Sequence, residues 1–222
     1  MKLVYPMLNL NIEFEENVVN SLILENQNLF YETINEIHNQ IEGLGGNFVL
    51  SENYEPVEMR KTAELVTQFV PFTLNKKDIL TKLYIDIQKQ SQSPEMLERT
   101  NTLLSELERY VCDISDVFAN DLECTPTVDI VPLLKMFDLR FSEDERGLCE
   151  KILDYFAASE RYKGKRLFIT VNLRSYIDDE KAKLFFHNIV MRKTKLLCIE
   201  NHAYTKFNCE KRIIIDNDLC VI

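Results

Sequence analysis

The sequence of 222 residues has no tryptophan, only five glycines and only six prolines. This scarcity of glycine and proline excludes collagen-like and low-complexity chains, and 45% hydrophobic with 28% charged residues is a globular composition. No apolar run approaches the roughly 20 residues that cross a bilayer. The start passes directly into polar Asn9 and Asn11, so no signal peptide is predicted. We therefore expect a soluble cytoplasmic protein that does not contact a membrane.

The six cysteines include no C-x-x-C pair. Several, such as Cys198 and Cys220, lie between apolar residues, and nothing directs the chain to an oxidising compartment. Cys198, His202 and Cys209 do not have the spacing of a closed four-ligand zinc site. We expect reduced and mostly buried thiols, and no zinc.

Signatures of common enzymes are also missing. The sequence has neither G-x-x-x-x-G-K-[ST] nor G-x-G-x-x-G, in which glycines let backbone amides approach phosphates, and no G-x-S-x-G of hydrolases. Glu200 follows a candidate strand, but no x-Lys completes the Asp/Glu-x-Lys pattern of metal-dependent nucleases. We therefore do not predict an enzyme, and a degenerate nuclease is the minority hypothesis.

The charge of the chain is unevenly distributed. The net charge of −10 alone argues against a nucleic-acid partner. Residues 163–212, however, carry 12 Lys and Arg against 5 Asp and Glu, a net of +7, which leaves −17 on the rest of the chain. An uneven but solvated surface is the simpler explanation of this polarity.

Both ends of the chain predict α/β structure. Residues 8–14 alternate apolar and polar side chains, a period of two, and Asn26 suits the N-cap of an amphipathic helix. Residues 166–172 and 196–199 predict two strands, and Asp178 is suited to begin the helix between them. Strand, helix and strand in this order form a βαβ unit, whose strands are expected to be parallel.

The middle of the chain has helical spacing throughout. Residues 58–69 are predicted to be helical until Pro71 interrupts them, and residues 79–87 and 97–114 have apolar residues at helical spacing. A polar break between the last two segments predicts an antiparallel hairpin, which cannot bury both apolar stripes alone. The predicted fold class is α/β, with a discontinuous head domain of residues 1–59 and 150–222 and an inserted helical leg domain of residues 60–149.

Carboxylates crowd the end of the long helix and the segment after it. Carboxylates on an irregular loop suit calcium, which takes about six to eight oxygen ligands in loose geometry, but the Asp-x-Asp-x-Asp-Gly loop of an EF-hand is absent. Composition alone is compatible with two interpretations of these residues, a solvated acidic face and a metal site. The candidate ligands are Asp113, Asp116, Asp121, Glu123 and Asp129.

Several segments together resemble one known family. They are residues 1–6 with 12–14, residues 54–58 with Lys61 and 64–67, residues 166–172 with 176–180, and residues 215–222. On these segments the chain resembles the Csn-two family, the CRISPR-associated protein of type II-A systems that is needed for spacer acquisition. The resemblance covers the whole length and is weakest from residue 88 to 160.

The resemblance implies a P-loop-like head without a nucleotide loop, in a ring of four identical chains. Such a ring encircles double-stranded DNA from free ends, without sequence preference and without catalysis, and calcium bound by leg carboxylates stabilises it. The implied partners are the CRISPR integrase proteins and the effector nuclease of the same locus. A chain of net charge −10 can hold DNA if its lysines line the hole, because phosphate contacts gain affinity through counterion release.

For the DNA contacts we select bases from both predicted domains. These are Lys61, Lys76, Lys77, Lys82 and Lys89 of the leg and Lys163, Lys165 and Arg166 of the head. For calcium we select Asp121, Glu123 and Asp129, with Asp113 and Asp116 behind them. The competing hypothesis is a protein–protein adaptor that uses its helical hairpin and does not contact DNA.

Overall fold

A computed structural model describes residues 1–118, 122, 129–143 and 146–222. The chain divides into two compact units: a head unit of Met1–Leu74 and Glu143–Ile222, and a helical unit of Asn75–Ser142. The predicted α/β fold with an inserted helical segment is confirmed. The head unit also takes in residues 60–74 and 143–149, which the sequence pattern had assigned to the leg.

The centre of the head unit is a parallel sheet of five strands in the order β6-β7-β8-β3-β9. Every neighbouring pair in it is parallel. Helix α7, Asp179–Met191, connects β7 to β8 and begins at the N-cap Asp178, as predicted for the βαβ unit. The strands are β3 (Val19–Leu24), β6 (Ala63–Val66), β7 (Leu167–Val171), β8 (Lys195–Glu200) and β9 (Glu210–Ile215).

A second sheet is antiparallel and has the order β2-β1-β4-β5. Its strands are β1 (Lys2–Tyr5), β2 (Leu10–Glu13), β4 (Val49–Glu52) and β5 (Glu55–Pro56). In β2 the predicted period of two is present, because Leu10 and Ile12 are buried and the residues after each are exposed. The buried face of this sheet packs in one core with α1, Gln27–Ile41, and one face of the parallel sheet.

The opposite face of the parallel sheet is covered by α6, Leu148–Lys163, and α7. Aromatic side chains fill this layer: the rings of Phe156 in α6 and Phe168 in β7 stack with centroids 4.1 Å apart. Helix α6 ends at Gly164, whose φ of +70° is the left-handed conformation that glycine adopts at a C-cap without strain. The head unit is therefore a sheet covered on both faces, as a parallel sheet requires.

The predicted helix of residues 58–69 is wrong. Only α2, Met59–Thr62, is helical, and the next four residues form β6, which pairs with β7 from Ala63 opposite Leu167 to Val66 opposite Thr170. A short apolar run does not distinguish a buried strand from a buried helical turn by its periodicity. Because β6 belongs to the sheet, the head unit extends past residue 59.

The helical unit contains α3 (Lys77–Ser91), α4 (Leu97–Ser115) and α5 (Ile130–Met136). Helices α3 and α4 correspond to the two helices of the predicted hairpin. The structure describes every residue of α4 and shows none of them buried. Within the described ranges, no helix is both long enough and apolar enough to cross a membrane.

The expectation of mostly buried thiols is wrong, because only one of the five cysteines in the described ranges is buried. Of the five cysteines in the described ranges, none forms a disulfide; Cys198 is buried, whereas Cys112 and Cys220 are exposed. Burial raises the pKa of the Cys198 thiol, and raises that of Cys149 to about 11. These two thiols are therefore protonated near neutral pH and poor nucleophiles.

Candidate nucleic-acid interface

Two of the predicted DNA contacts in the head unit lie in an internal ion-pair network. Lys165 is 8% exposed, and its Nζ donates to the carbonyl of Ala63 at 2.7 Å and to that of Arg60. The Nζ of Lys163 lies 2.7 Å from Oε1 of Glu64, which also accepts from the hydroxyl of Tyr155. Both ammonium groups therefore hold β6 against the end of α6, and Lys165 presents little surface to a phosphate.

The other two predicted contacts of the head unit lie at its surface. Lys61 follows Glu58 in an exposed pair, with Nζ 2.9 Å from Oε1. Arg166 is paired with Glu52, and 46% of its side chain is exposed. Exposed pairs contribute little to stability, so either base can exchange its carboxylate for a phosphate at small cost.

The predicted contacts of the helical unit gather at the start and along one side of α3. Lys77, Lys82 and Lys89 are exposed, and Lys76 is half-buried at the N-cap. Lys82 and Lys89 are seven residues apart, so they lie on the same face of the helix about 10 Å from each other along its axis. The structure thus places two of the predicted bases in a row on an exposed helix face.

The predicted calcium ligands in the described ranges do not form a closed site. Asp113 and Asp116 are exposed in the last turn and at the C-cap of α4. Asp129 is the N-cap of α5 and also accepts from Nε2 of Gln88 at 3.1 and 3.2 Å. Asp121 and Glu123 lie outside the described residues. Within the described ranges no three His, Cys, Asp or Glu residues are grouped so that they could hold a metal ion.

Three bases of the basic stretch 163–212 are interior, which the charge count could not reveal. Besides Lys165, Arg174 is 4% exposed, and the side chain of Arg212 is 10% exposed and pairs with Glu210 at 2.9 Å. Arg174 stacks on the ring of Tyr204 and pairs with an acid. Because Glu200 and Glu210 of the same stretch are buried as well, its exposed part keeps most of the positive net charge. The aromatic residues at 204 and 207, which enclose Arg174, are the sequence signal that could have identified it.

The connection between β3 and α1 is short and carries no phosphate-binding loop. Strand β3 ends at Leu24 and α1 begins at Gln27, so only two residues connect them. Asn26 caps the helix through its Oδ1, which accepts from the amides of residues 28 and 29, and its Nδ2 donates to the carbonyl of Asn217 at 3.1 Å. So short a connection has no room for a loop that cradles phosphates.

These features define a class: an α/β protein with a five-stranded parallel sheet, no phosphate-binding loop between β3 and α1, and a helical insertion that carries exposed lysines. The model of one protein family, described as CRISPR-associated protein (Cas_Csn2), matches residues 40–219. The chain therefore belongs to the Cas_Csn2 family, and a role associated with CRISPR adaptation and antiviral defence follows from that membership. No curated protein matches the chain.

Among the solved structures that the chain is similar to, two are described as belonging to ABC transporters. One is cbiO1 from Clostridium perfringens, part of the ABC transporter complex cbiONQ, at 9% identity and a TM-score of 0.49, over 94% of this chain and 77% of the other. The second is a putative ABC transporter ATP-binding protein from Pyrococcus furiosus, at 10% identity and a TM-score of 0.41, over 92% and 88%. Because both TM-scores lie below 0.5, we base no conclusion on these likenesses.

Proposed function

We propose that the protein is a non-catalytic ring of four copies that binds double-stranded DNA without sequence preference during CRISPR spacer acquisition in the cytoplasm. The observation that carries the proposal is the row of Lys82 and Lys89 on the exposed face of α3, beside the exposed Lys77 at its start. Ammonium groups on a rigid helix suit phosphates, which give affinity but no sequence information. The integrase proteins and the effector nuclease of the same locus are the proposed protein partners.

The helical unit supports the assembly part of this proposal. Along α4, Leu103, Tyr110 and Ile114 lie on one face and are 47%, 63% and 47% exposed. Contiguous exposed apolar side chains are typical of interfaces. A second copy of the same helix offers the same stripe, as a two-fold interface requires. This stripe equally suits a different protein, which is the basis of the adaptor alternative.

The burial of two lysines removes them from the set of residues proposed to contact DNA. We propose Lys61, Lys77, Lys82 and Lys89 as the principal phosphate contacts, with Lys76 and Arg166 beside them. Lys163 and Lys165 instead pair with Glu64 inside the head unit. The two groups of residues should respond differently to substitution. Replacing a phosphate contact should change DNA affinity, whereas replacing a buried lysine should change the stability of the protein.

Calcium is the proposed cofactor, bound near the end of α4. Asp113 and Asp116 stand where the helix dipole is already negative, and no basic residue lies in that last turn. A divalent cation would relieve this repulsion. Asp121, Glu123 and Asp129 are the further proposed ligands, and Asp129 would have to bind while it caps α5.

Gel-shift titration of linear and closed-circular duplexes, with calcium or with a chelator, tests the proposal. We expect binding to linear DNA in calcium, little binding to closed circles, and weaker binding by Lys82→Glu/Lys89→Glu. The matched control is Lys183→Glu/Lys206→Glu, which makes the same charge change at exposed bases of the head unit and should bind like wild type. Absence of any shift would favour the adaptor, and cleavage in magnesium would favour a nuclease.

Light scattering of the eluting protein tests the assembly separately. The proposal expects a species of four chains in calcium, and replacing Tyr110 and Ile114 by serine should shift it to smaller species. A calcium-independent monomer would contradict the ring whatever the DNA affinity.

A further inference from the structure

Arg174 ties the connection between β8 and β9, residues 201–209, to the rest of the head unit. Its guanidinium carbon lies 4.9 Å from the ring centroids of both Tyr204 and Phe207. Its Nη2 donates to Oδ1 of Asp179 in α7 at 2.5 Å, and its Nη1 donates to a carbonyl of this connection at 3.4 Å. Residues 201–209 are also held by Thr205, whose hydroxyl donates to Asp179, and by Arg212, which donates to the carbonyl of Tyr204, so Arg174 is one of several anchors of this connection.

Glu200, the last residue of β8, is in contact with Arg174 and is 2% exposed. Its Oε1 accepts the backbone amide of Arg174 at 3.2 Å. Within the described residues its Oε2 has no hydrogen-bond partner, and neither has Nε of Arg174. Buried polar atoms without partners are rare in folded proteins. Here the donor is Nε of Arg174 and the acceptor is Oε2 of Glu200. The two residues already share a hydrogen bond through the backbone amide of Arg174.

Arg174 thus contacts two acids, Asp179 through its guanidinium and Glu200 through its backbone amide. A guanidinium binds a carboxylate through two parallel hydrogen bonds, so it can serve Asp179 or Glu200 but not both fully. A buried carboxylate tolerates an empty acceptor position when it is protonated, whereas an ionised one requires a charged partner. The observed arrangement is the one expected for protonated Glu200.

We propose that Arg174 is a two-position latch on residues 201–209. With Glu200 protonated, Arg174 holds these residues through Asp179 and the carbonyl of Thr205. When Glu200 ionises, its Oε2 draws the guanidinium away from Asp179, and residues 201–209 lose one of their anchors. The proton leaves to solvent, and no other covalent bond changes.

The ionisable groups on the strands around Glu200 do not supply a positive charge that pairs with its carboxylate. On β9, Glu210 is matched by Arg212, and Cys198 on β8 is protonated. Strands β3 and β7 contain no titratable side chain. Burial is the largest cause that raises the pKa of Glu200 to about 7; Glu210 adds to the rise, and Arg174 opposes it.

The connection itself also contains a histidine. His202 is exposed and its ring lies 4.1 Å from that of Tyr204. Because histidine also titrates near neutral pH, a change in this connection with pH has two possible sensors. The test must therefore separate Glu200 from His202.

Hydrogen–deuterium exchange on the full chain at about pH 6 and about pH 8.5 measures the latch directly. After correction for the intrinsic rate, we expect the protection of amides in residues 201–209 to fall about tenfold in wild type as pH rises. Glu200→Gln, which imitates the protonated acid, should keep the same protection at both pH values. Protection of β3 should not change in either protein.

Three variants make the test decisive. Asp179→Asn removes the negative charge that now holds Arg174 but keeps an oxygen that can accept from Thr205, so it should weaken the hold on residues 201–209 already at about pH 6, independently of how Glu200→Gln folds. Glu180→Gln, an exposed neighbour in α7, should respond like wild type, and so should His202→Gln. Equal protection of wild type at both pH values, a response retained in Glu200→Gln, or one abolished in His202→Gln would each overturn the proposal.

Discussion

Lys163 and Glu64 form an ion pair inside the head unit, with Nζ 2.7 Å from Oε1 and only 19% and 12% of the two side chains exposed. Lys165 approaches the same carboxylate from the other side, with Nζ 3.9 Å from Oε2. One acid on β6 therefore serves two lysines at and just after the end of α6. Two residues selected from sequence as DNA contacts are parts of an internal network that fixes the edge of the sheet.

Replacing Glu64 by glutamine should lower the free energy of unfolding by about 3 kcal/mol, because two largely buried lysines lose the carboxylate between them. Urea unfolding measures the change. The matched control is Glu58→Gln, which breaks the exposed pair with Lys61 and should cost less than about 0.5 kcal/mol. Equally small losses in the two variants would show that the buried network does not stabilise the head unit.

The parts of the fold that sequence predicted correctly depend on local chemistry. Asn26 and Asp178 cap their helices because a short polar side chain reaches the first free amides. Gly164 ends α6 because it tolerates a positive φ. The βαβ unit follows from two apolar runs separated by one helix. Each of these signals lies within a few residues of the feature that it determines.

The parts that sequence could not predict depend on distant partners. Strand β6 was mistaken for helix because only its pairing with β7, about a hundred residues later in the chain, makes it a strand. Lys165 has the composition of a surface residue, and its burial depends on carbonyls near residue 60. The charge count treated Arg174 as a surface base for the same reason. Local composition reveals that a residue is basic but not whether the fold encloses it.

Single substitutions of Lys82 and Lys89 should change the salt dependence of DNA binding. If each contacts one phosphate, Lys82→Ala or Lys89→Ala should reduce the slope of log affinity against log salt by about 1, because one fewer counterion is released. Fluorescence anisotropy at several salt concentrations measures the slope. Lys183→Ala is the control and should leave the slope unchanged. An unchanged slope in the α3 variants would remove these lysines from the DNA interface.

Glu200→Gln should remove a pH dependence from the stability of the protein. The pKa of about 7 lies above the ordinary 4.5 for this residue, so between these values the folded state keeps a proton that the unfolded chain has lost. The stability of wild type should therefore fall as pH rises from about 5 through about 7, by up to about 3 kcal/mol. Urea unfolding across this range measures it. A glutamine variant with the same decline as wild type would assign the dependence to another group.

The last turn of α4 offers a test of calcium binding that does not use DNA. Asp113→Asn/Asp116→Asn removes two negative charges from the negative end of the helix dipole, so without calcium it should stabilise the protein by about 0.3–1 kcal/mol per site. The same variant should lose most of the stabilisation that calcium gives to wild type. Thermal unfolding with calcium and with a chelator measures both effects.

Asp78→Asn, in the first turn of α3 where the dipole favours an acid, is the matched control. It should destabilise slightly and keep the full calcium effect; if it loses that effect too, net charge rather than a site at the end of α4 accounts for the response.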